Sequence, residues 1–233
     1  MLFVMTVLLS VFSYLLGAVP NGLLLARTKG IDIREVGSGN TGATNVFRCV
    51  SKPLGVATFV LDFLKGFLPT VFFPLLVVRM EPMCCSLIGI KLLFGTYAIL
   101  GHNWPVYLHF KGGKGVATTA GVLLAVAPLS MAVGVVTWLI AALATRYVSV
   151  ASISAAVVVP LSAWLSYIGD DYLIRPLVLT ALGGIVVWRH KSNIVRLRAG
   201  CENRFSVGVA GVRSVAKGER QTEGIGGQEV GHS

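Results

Sequence analysis

The chain predicts an all-α, polytopic integral membrane protein with about seven transmembrane helices, its N-terminus outside and its C-terminus in the cytoplasm. Three observations carry that prediction. Of 233 residues, 55% are hydrophobic and only 13% are charged. Several apolar runs reach the roughly 20 residues that a helix needs to cross a bilayer. The Lys and Arg side chains gather at the ends of those runs, as topology signals do. The formal net charge of +10 is explained by that clustering and does not call for nucleic acid as a partner.

The first run is Leu2 to Ala26, with Pro20 and Gly22 expected to bend its inner end. No basic residue precedes it, no Ala-x-Ala site closes it, and Arg27 and Lys29 follow it, so it reads as a retained span and not a signal peptide. A polar loop from Arg27 to Lys52 leads to a second span, Pro53 to Val78, and a short loop at Arg79, Glu81 and Pro82. The third span is Cys85 to Leu100, followed by a second polar loop, His102 to Gly115.

Next comes an apolar run, Val116 to Thr145, with Pro128 near its middle. Another run, Val148 to Ile168, precedes the acidic turn Gly169-Asp170-Asp171, and the last run is Leu173 to Trp188. Basic residues mark the first loop and the segment after Arg189 as cytoplasmic, which requires an even number of crossings between the second and third polar segments. The Val116–Thr145 run is therefore read as a hairpin of two short helices turning at Ala127-Pro128-Leu129; the alternative, a single tilted or kinked span, would put the third basic segment outside, against the charge rule. Residues 1–205 form the membrane domain. Residues 206–233 lack apolar periodicity and read as a disordered cytoplasmic tail.

Three glycine-rich, basic segments stand where apolar runs end. The first is Gly37-Ser38-Gly39-Asn40-Thr41-Gly42-Ala43-Thr44-Asn45-Val46-Phe47-Arg48. It matches Gly-x-Gly-x-x-Gly on letters, but a transmembrane span, not a strand, precedes it, so the match to a dinucleotide fold is weak. Glycines let backbone approach a ligand, Ser38, Asn40 and Asn45 add donors, and Arg48 adds a fork suited to phosphate. The alternative is an ordinary turn-rich loop.

The second segment, Lys111-Gly112-Gly113-Lys114-Gly115, lacks the Walker A spacer and has Val116 where a magnesium-binding hydroxyl would stand. Glycines around a lysine before a helix start still form an anion nest. A stop-transfer anchor is the competing reading, and three glycines speak against it. The third segment places His190, Asn193 and Leu197 on one helical face, with Arg189 and Arg196 on the adjacent one. His190 is open to three readings: general base, phosphate donor or interfacial histidine. Glu202 is a partner for one of these arginines.

Asp62 and Lys65 lie inside the second span at i and i+3, where ionisable groups pair or face a cavity. A structural and a substrate role are both open. Lys91, in the third span, is expected to snorkel outward. Cys49, Cys84, Cys85 and Cys201 lack zinc spacing and read as incidental thiols, and no metal site is expected.

Taken together, the segments resemble one family, the bacterial acyl-phosphate:glycerol-3-phosphate acyltransferases (PlsY). The likeness covers about residues 1–205. It rests on Gly37 to Asn45, on Gly101-His102, Pro105 and Phe110 to Thr118, on Arg189-His190, Asn193-Ile194, Arg196-Leu197, Gly200 and Glu202, and on Leu61-Asp62-Phe63-Leu64-Lys65-Gly66. Pro20-Asn21 departs from the apolar pair expected there, a change expected to alter local packing alone.

The resemblance implies transfer of an acyl group from acyl phosphate to the 1-hydroxyl of sn-glycerol 3-phosphate, giving lysophosphatidic acid and inorganic phosphate in phospholipid biosynthesis. It implies an inner-membrane enzyme with its site facing the cytoplasm, no cofactor, and a functional link to the enzyme supplying acyl phosphate. Ser38, Arg48, Lys114, His190 and Asn193 are then the expected catalytic set. Gly37, Gly39, Asn40, Gly42, Asn45, Lys111, Gly112, Gly113, Gly115, Arg189, Arg196 and Glu202 are expected around the phosphates, supported by Asp62, Lys65 and His102.

A nucleophilic Ser38 is disfavoured, since no Gly-x-Ser-x-Gly elbow is present and an acyl phosphate is already activated. A transporter of phosphorylated solutes would suit basic span ends too, but no internal repeat is evident. An acyl-CoA-dependent acyltransferase is the third reading, and no adenine-sized soluble domain is evident for it.

Overall fold

The computed structural model describes residues 1–80, 86–166 and 173–204. Among these the chain is all-helical, with ten α-helices, one 3₁₀ turn and no strand. The Glu81-Pro82 turn, Cys84, Cys85, the acidic turn Gly169-Asp170-Asp171 and the tail 206–233 lie outside the described residues.

The first run is two helices, α1 (Leu2–Ala18) and α2 (Asn21–Arg27). Proline lacks an N–H and pushes its predecessor out of the helical region, and Val19 accordingly sits at φ −57°, ψ 118°. The expected bend is thus a full break. The first polar loop holds a helix that periodicity did not reveal, α3 (Ala43–Cys49). It is too short to show a pattern, and it is anchored by Val46 packing on Leu23, Ala26 and Ile33.

The second span is α4 (Lys52–Met80) and the third is α5 (Leu87–Asn103). α5 runs three residues past its expected end at Leu100, so His102 and Asn103 are buried on its last turn and not in a loop. A 3₁₀ turn, Val106–Leu108, then leads to α6 (Val116–Val126). α7 (Pro128–Thr145) follows at once, with Pro128 starting it where a missing N–H costs nothing.

The long run therefore breaks where expected, but into 11 and 18 residues instead of equal halves. α6 rises only ~16 Å, about half the hydrocarbon core. Among the described residues, four stretches are long and apolar enough to cross a membrane: Leu2–Arg27, Lys52–Met80, Pro128–Thr145 and Val148–Ser166. The last of these is α8 (Val148–Ser166); α9 (Ile174–Arg189) and α10 (Lys191–Arg198) complete the chain.

Large apolar side chains point outward, with Phe3 and Leu143 each 80% and Leu165 86% exposed. Water would penalise such a surface; lipid does not. Because lipid is as apolar as leucine, helix association rests on close packing. Gly17 lies against the Ala98 carbonyl and Gly121 against that of Phe63, each so near that a Cβ would sit 2.1 Å from the oxygen. These contacts bring the α1 and α5 backbones together, and likewise α4 and α6. The main core joins Ile99 and Leu92 of α5, Val122 and Leu123 of α6, Val159 of α8 and Leu179 of α9.

Candidate active site

The helices bring all three polar segments to one cavity of about 170 Å³. Ser38, Asn40 and Arg48 line it from the first segment, Lys114 and Gly115 from the second, and His190 from the third. Asp62 and His102 reach it from the spans.

Asn45 is the staple of the first segment. Its amide hydrogens are shared among the carbonyls of Ile33 (3.2 Å), Val36 (3.0 Å) and Asn40 (3.0 Å), and its Oδ1 accepts from the Ser38 N–H at 3.0 Å. Gly37 turns with φ 61° directly over this amide, where a Cβ would lie 2.4 Å from Oδ1. The asparagine thus holds the loop in shape, and Ser38, Asn40 and Arg48 face the cavity. Arg48 donates from Nη2 to the Asn203 carbonyl at 3.3 Å, while its Nε is buried without a partner among the described residues. Burial pulls the guanidinium pKa down, yet arginine stays charged.

The second segment is pressed onto the end of α5. The Gly113 N–H donates to the His102 carbonyl at 3.1 Å, and a Cβ on Gly113 would lie 2.0 Å from the His102 ring. Arg189 fixes the same loop from the other side: Nε donates to Gly113 O at 3.0 Å, and Nη2 to Gly112 O and Gly113 O at 2.7 Å each. Its guanidinium also lies 5.5 Å from the Trp104 ring centroid. Those N–H groups are spent on carbonyls, so Arg189 ties the third segment to the second. Lys111 is exposed and does not line the cavity.

His190 follows α9. Its Nδ1 lies 2.8 Å from the Val186 carbonyl. A carbonyl only accepts, so Nδ1 carries the proton and Nε2 keeps its lone pair. Burial, then the Lys114 charge, lowers the imidazole pKa to about 4, so the ring is neutral at ordinary pH. Lys114 Nζ donates to Asn193 Oδ1. Asn193 Nδ2 donates to Glu202 Oε1 at 2.6 Å, and Arg196 Nε to Glu202 Oε2 at 2.7 Å. Burial, then the Arg196 charge, brings Lys114 down to about 8. Burial would raise the Glu202 carboxyl, but the hydrogen bonds from Asn193 and Arg196 overcome it and hold it ionised. Asn193, Arg196 and Glu202 are therefore a relay behind Lys114, outside the residues that line the cavity.

Asp62 and Lys65 pair at 2.8 Å, and Asp62 also lines the cavity. Lys65 Nζ also donates to Val19 O at 2.8 Å, the carbonyl freed by the break between α1 and α2. Asn21 Nδ2 donates to Asp62 Oδ1 at 3.0 Å, so Asn21 enters the polar cluster and does more than alter packing. His102 Nδ1 stands 3.9 Å from the same oxygen.

A second cavity, of about 290 Å³, adjoins the first. Its lining is almost wholly apolar, from α6, α7, α8 and α9. Phe59, Val116, Trp138 and Ser152 line both cavities, so charged and oily spaces meet at shared walls. Among the described residues, no three His, Cys, Asp or Glu side chains gather as a metal-holding group.

A family described as glycerol-3-phosphate acyltransferase matches residues 7–200. The chain belongs to this family. A glycerol-3-phosphate acyltransferase of Aquifex aeolicus is 42% identical over 198 residues, covering 84% of this chain and 97% of its own. One from Agrobacterium fabrum is 41% identical over 201 residues, covering 85% and 91%. The crystal structure of PlsY, an integral membrane glycerol 3-phosphate acyltransferase, in its glycerol 3-phosphate form superposes with a TM-score of 0.76. It shares 40% identity over 86% of this chain and 96% of that one. The lysophosphatidic acid form gives 0.73 at 39% identity, over 86% and 95%. The chain is thus an integral membrane protein of the glycerol-3-phosphate acyltransferase family.

Sequence reasoning missed Ser149, Ser152 and Trp138 among the residues lining this family member's polar cavity. The two serines stand at i and i+3 near the start of an apolar run. A short hydroxyl on a membrane helix commonly bonds its own backbone, as Ser152 does to Val148 O at 2.9 Å, so the signal is not distinctive.

Proposed function

We propose that this chain transfers an acyl group from acyl phosphate to the 1-hydroxyl of sn-glycerol 3-phosphate, releasing lysophosphatidic acid and inorganic phosphate. The observation that carries the reading is the junction of a cation-lined cavity with an apolar one. Both substrates carry phosphate, and one carries a long chain. Arg48, Lys114 and Ser38 suit the phosphates, and the space between α6, α7, α8 and α9 suits the chain.

The neutral His190 Nε2 suits the attacking hydroxyl. That oxygen forms the new bond to the acyl carbon, the acyl–phosphate bond breaks, and phosphate leaves with the electron pair. The proton passes to His190 or to a substrate phosphate. Lys114 and Arg48 stabilise charge on the departing phosphate, and the fixed relay behind Lys114 makes that stabilisation preorganised. No covalent enzyme intermediate is required.

The product belongs to phospholipid biosynthesis, and the donor implies a preceding reaction that makes an acyl phosphate. On this reading the chain crosses a bacterial inner membrane seven times, with the N-terminus outside and the site at the cytoplasmic face. Positive charge at Arg27, Lys29, Arg34 and Lys52, and at Lys191 and Arg198, supports it. The test is a donor swap with purified protein. The reading predicts release of inorganic phosphate from palmitoyl phosphate only when glycerol 3-phosphate is present. Thiol release from palmitoyl-CoA at a comparable rate would overturn the donor assignment. Vesicle uptake of glycerol 3-phosphate without turnover would overturn the enzyme reading.

A further inference from the structure

We propose that Asp62 binds the 2-hydroxyl of glycerol 3-phosphate and sets the specificity for that group. The proposal rests on reading the polar cavity as the acyl-acceptor site. Among the described residues, Asp62 is the one carboxylate that lines this cavity. Its hydrogen bonds from Lys65 (2.8 Å) and Asn21 (3.0 Å) both end on Oδ1, which leaves Oδ2 to serve the cavity. The carboxylate is held from two helices, by Lys65 beside it on α4 and by Asn21 on α2, with His102 Nδ1 of α5 3.9 Å away and not bonded to it. Lys65 is itself pinned to Val19 O. An acceptor fixed in this way is preorganised.

The substrate's chemistry selects its use. The phosphate of glycerol 3-phosphate needs donors, and Arg48 and Lys114 supply them. Its two hydroxyls carry the donors that need acceptors. The neutral imidazole of His190 takes the reacting hydroxyl, which leaves the Asp62 carboxylate for the other. Asp62 stands one turn along α4 from Phe59, which lines both cavities, so it lies near the junction where glycerol meets the acyl chain. A buried charged acceptor also discriminates strongly against a ligand without the hydroxyl, since a lone pair is then left unpaired.

The test compares glycerol 3-phosphate with 1,3-propanediol monophosphate, which keeps the phosphate and the reacting hydroxyl and lacks the 2-hydroxyl. The native protein is expected to lose roughly 10- to 100-fold in kcat/KM on the deoxy acceptor. Asp62→Asn is expected to be slower on glycerol 3-phosphate and nearly indifferent between the two acceptors. Asp62→Glu keeps the charge for Lys65 and moves the oxygens, so it covers the case in which the amide fails to fold. It is expected to lose discrimination while retaining the native unfolding temperature. Equal turnover of both acceptors by the native protein, or native discrimination by a folded Asp62 variant, overturns the proposal alone. Turnover of neither acceptor overturns the underlying acyl-acceptor reading as well.

Discussion

Arg189 holds Gly113 by two hydrogen bonds to one carbonyl, from Nε at 3.0 Å and Nη2 at 2.7 Å. The C-terminal end of α9 thereby fixes the loop that presents Lys114. Lysine cannot reproduce a planar fork over two adjacent carbonyls. Arg189→Lys is expected to lower kcat by roughly 10- to 100-fold, with a smaller effect on the KM for glycerol 3-phosphate, as the loss of charge-assisted bonds to a positioning loop would. Steady-state kinetics check this. A raised KM with unchanged kcat would mean instead that Arg189 binds phosphate directly.

The pH profile follows from two shifted groups. His190, lowered to about 4, stays neutral until the pH falls through that value, and only then does Nε2 lose its lone pair. Lys114, lowered to about 8, is charged below that value and loses its charge as the pH rises through it. The kcat/KM for glycerol 3-phosphate is therefore expected to fall above pH 8 and to show no protein-borne inflection near the ordinary histidine value. The substrate phosphate adds its own ionisation near ~6. Lys114→Arg should remove the basic limb at a reduced rate, which separates enzyme from substrate titration.

The break at Ala127-Pro128 is the structural feature on which orientation turns. If α6 leads out to that break and α7 leads back, a single cysteine at the exposed Leu129 in a chain stripped of native thiols reacts with an impermeant label from outside. One placed at Lys191 then reacts only from inside. External labelling at Lys191 would contradict the proposed orientation.

Much of this architecture is legible in the sequence because lipid imposes a coarse rule: long apolar runs become helices, and charge marks their ends. Pro20 and Pro128 announce two breaks for a purely local reason. α3 was hidden because seven residues carry too little periodicity and its anchor, Val46, packs on residues far away in sequence. Asn45 and Arg189 were read as ligands because an amide and a guanidinium look alike to sequence whether they face substrate or backbone. Only geometry shows that the Asn45 amide hydrogens and the Nε and Nη2 hydrogens of Arg189 go to carbonyls. Asn21 was dismissed as packing because its partner Asp62 lies 41 positions away.

Direct transfer between two substrates in one cavity is the central claim, and a chase experiment tests it. Purified protein is mixed with carbonyl-labelled palmitoyl phosphate alone, sampled, and then given glycerol 3-phosphate. The account predicts no protein-bound label and no phosphate before the acceptor arrives, then lysophosphatidic acid and phosphate in equal amounts. A burst of phosphate before the chase, with label on Ser38, would contradict it.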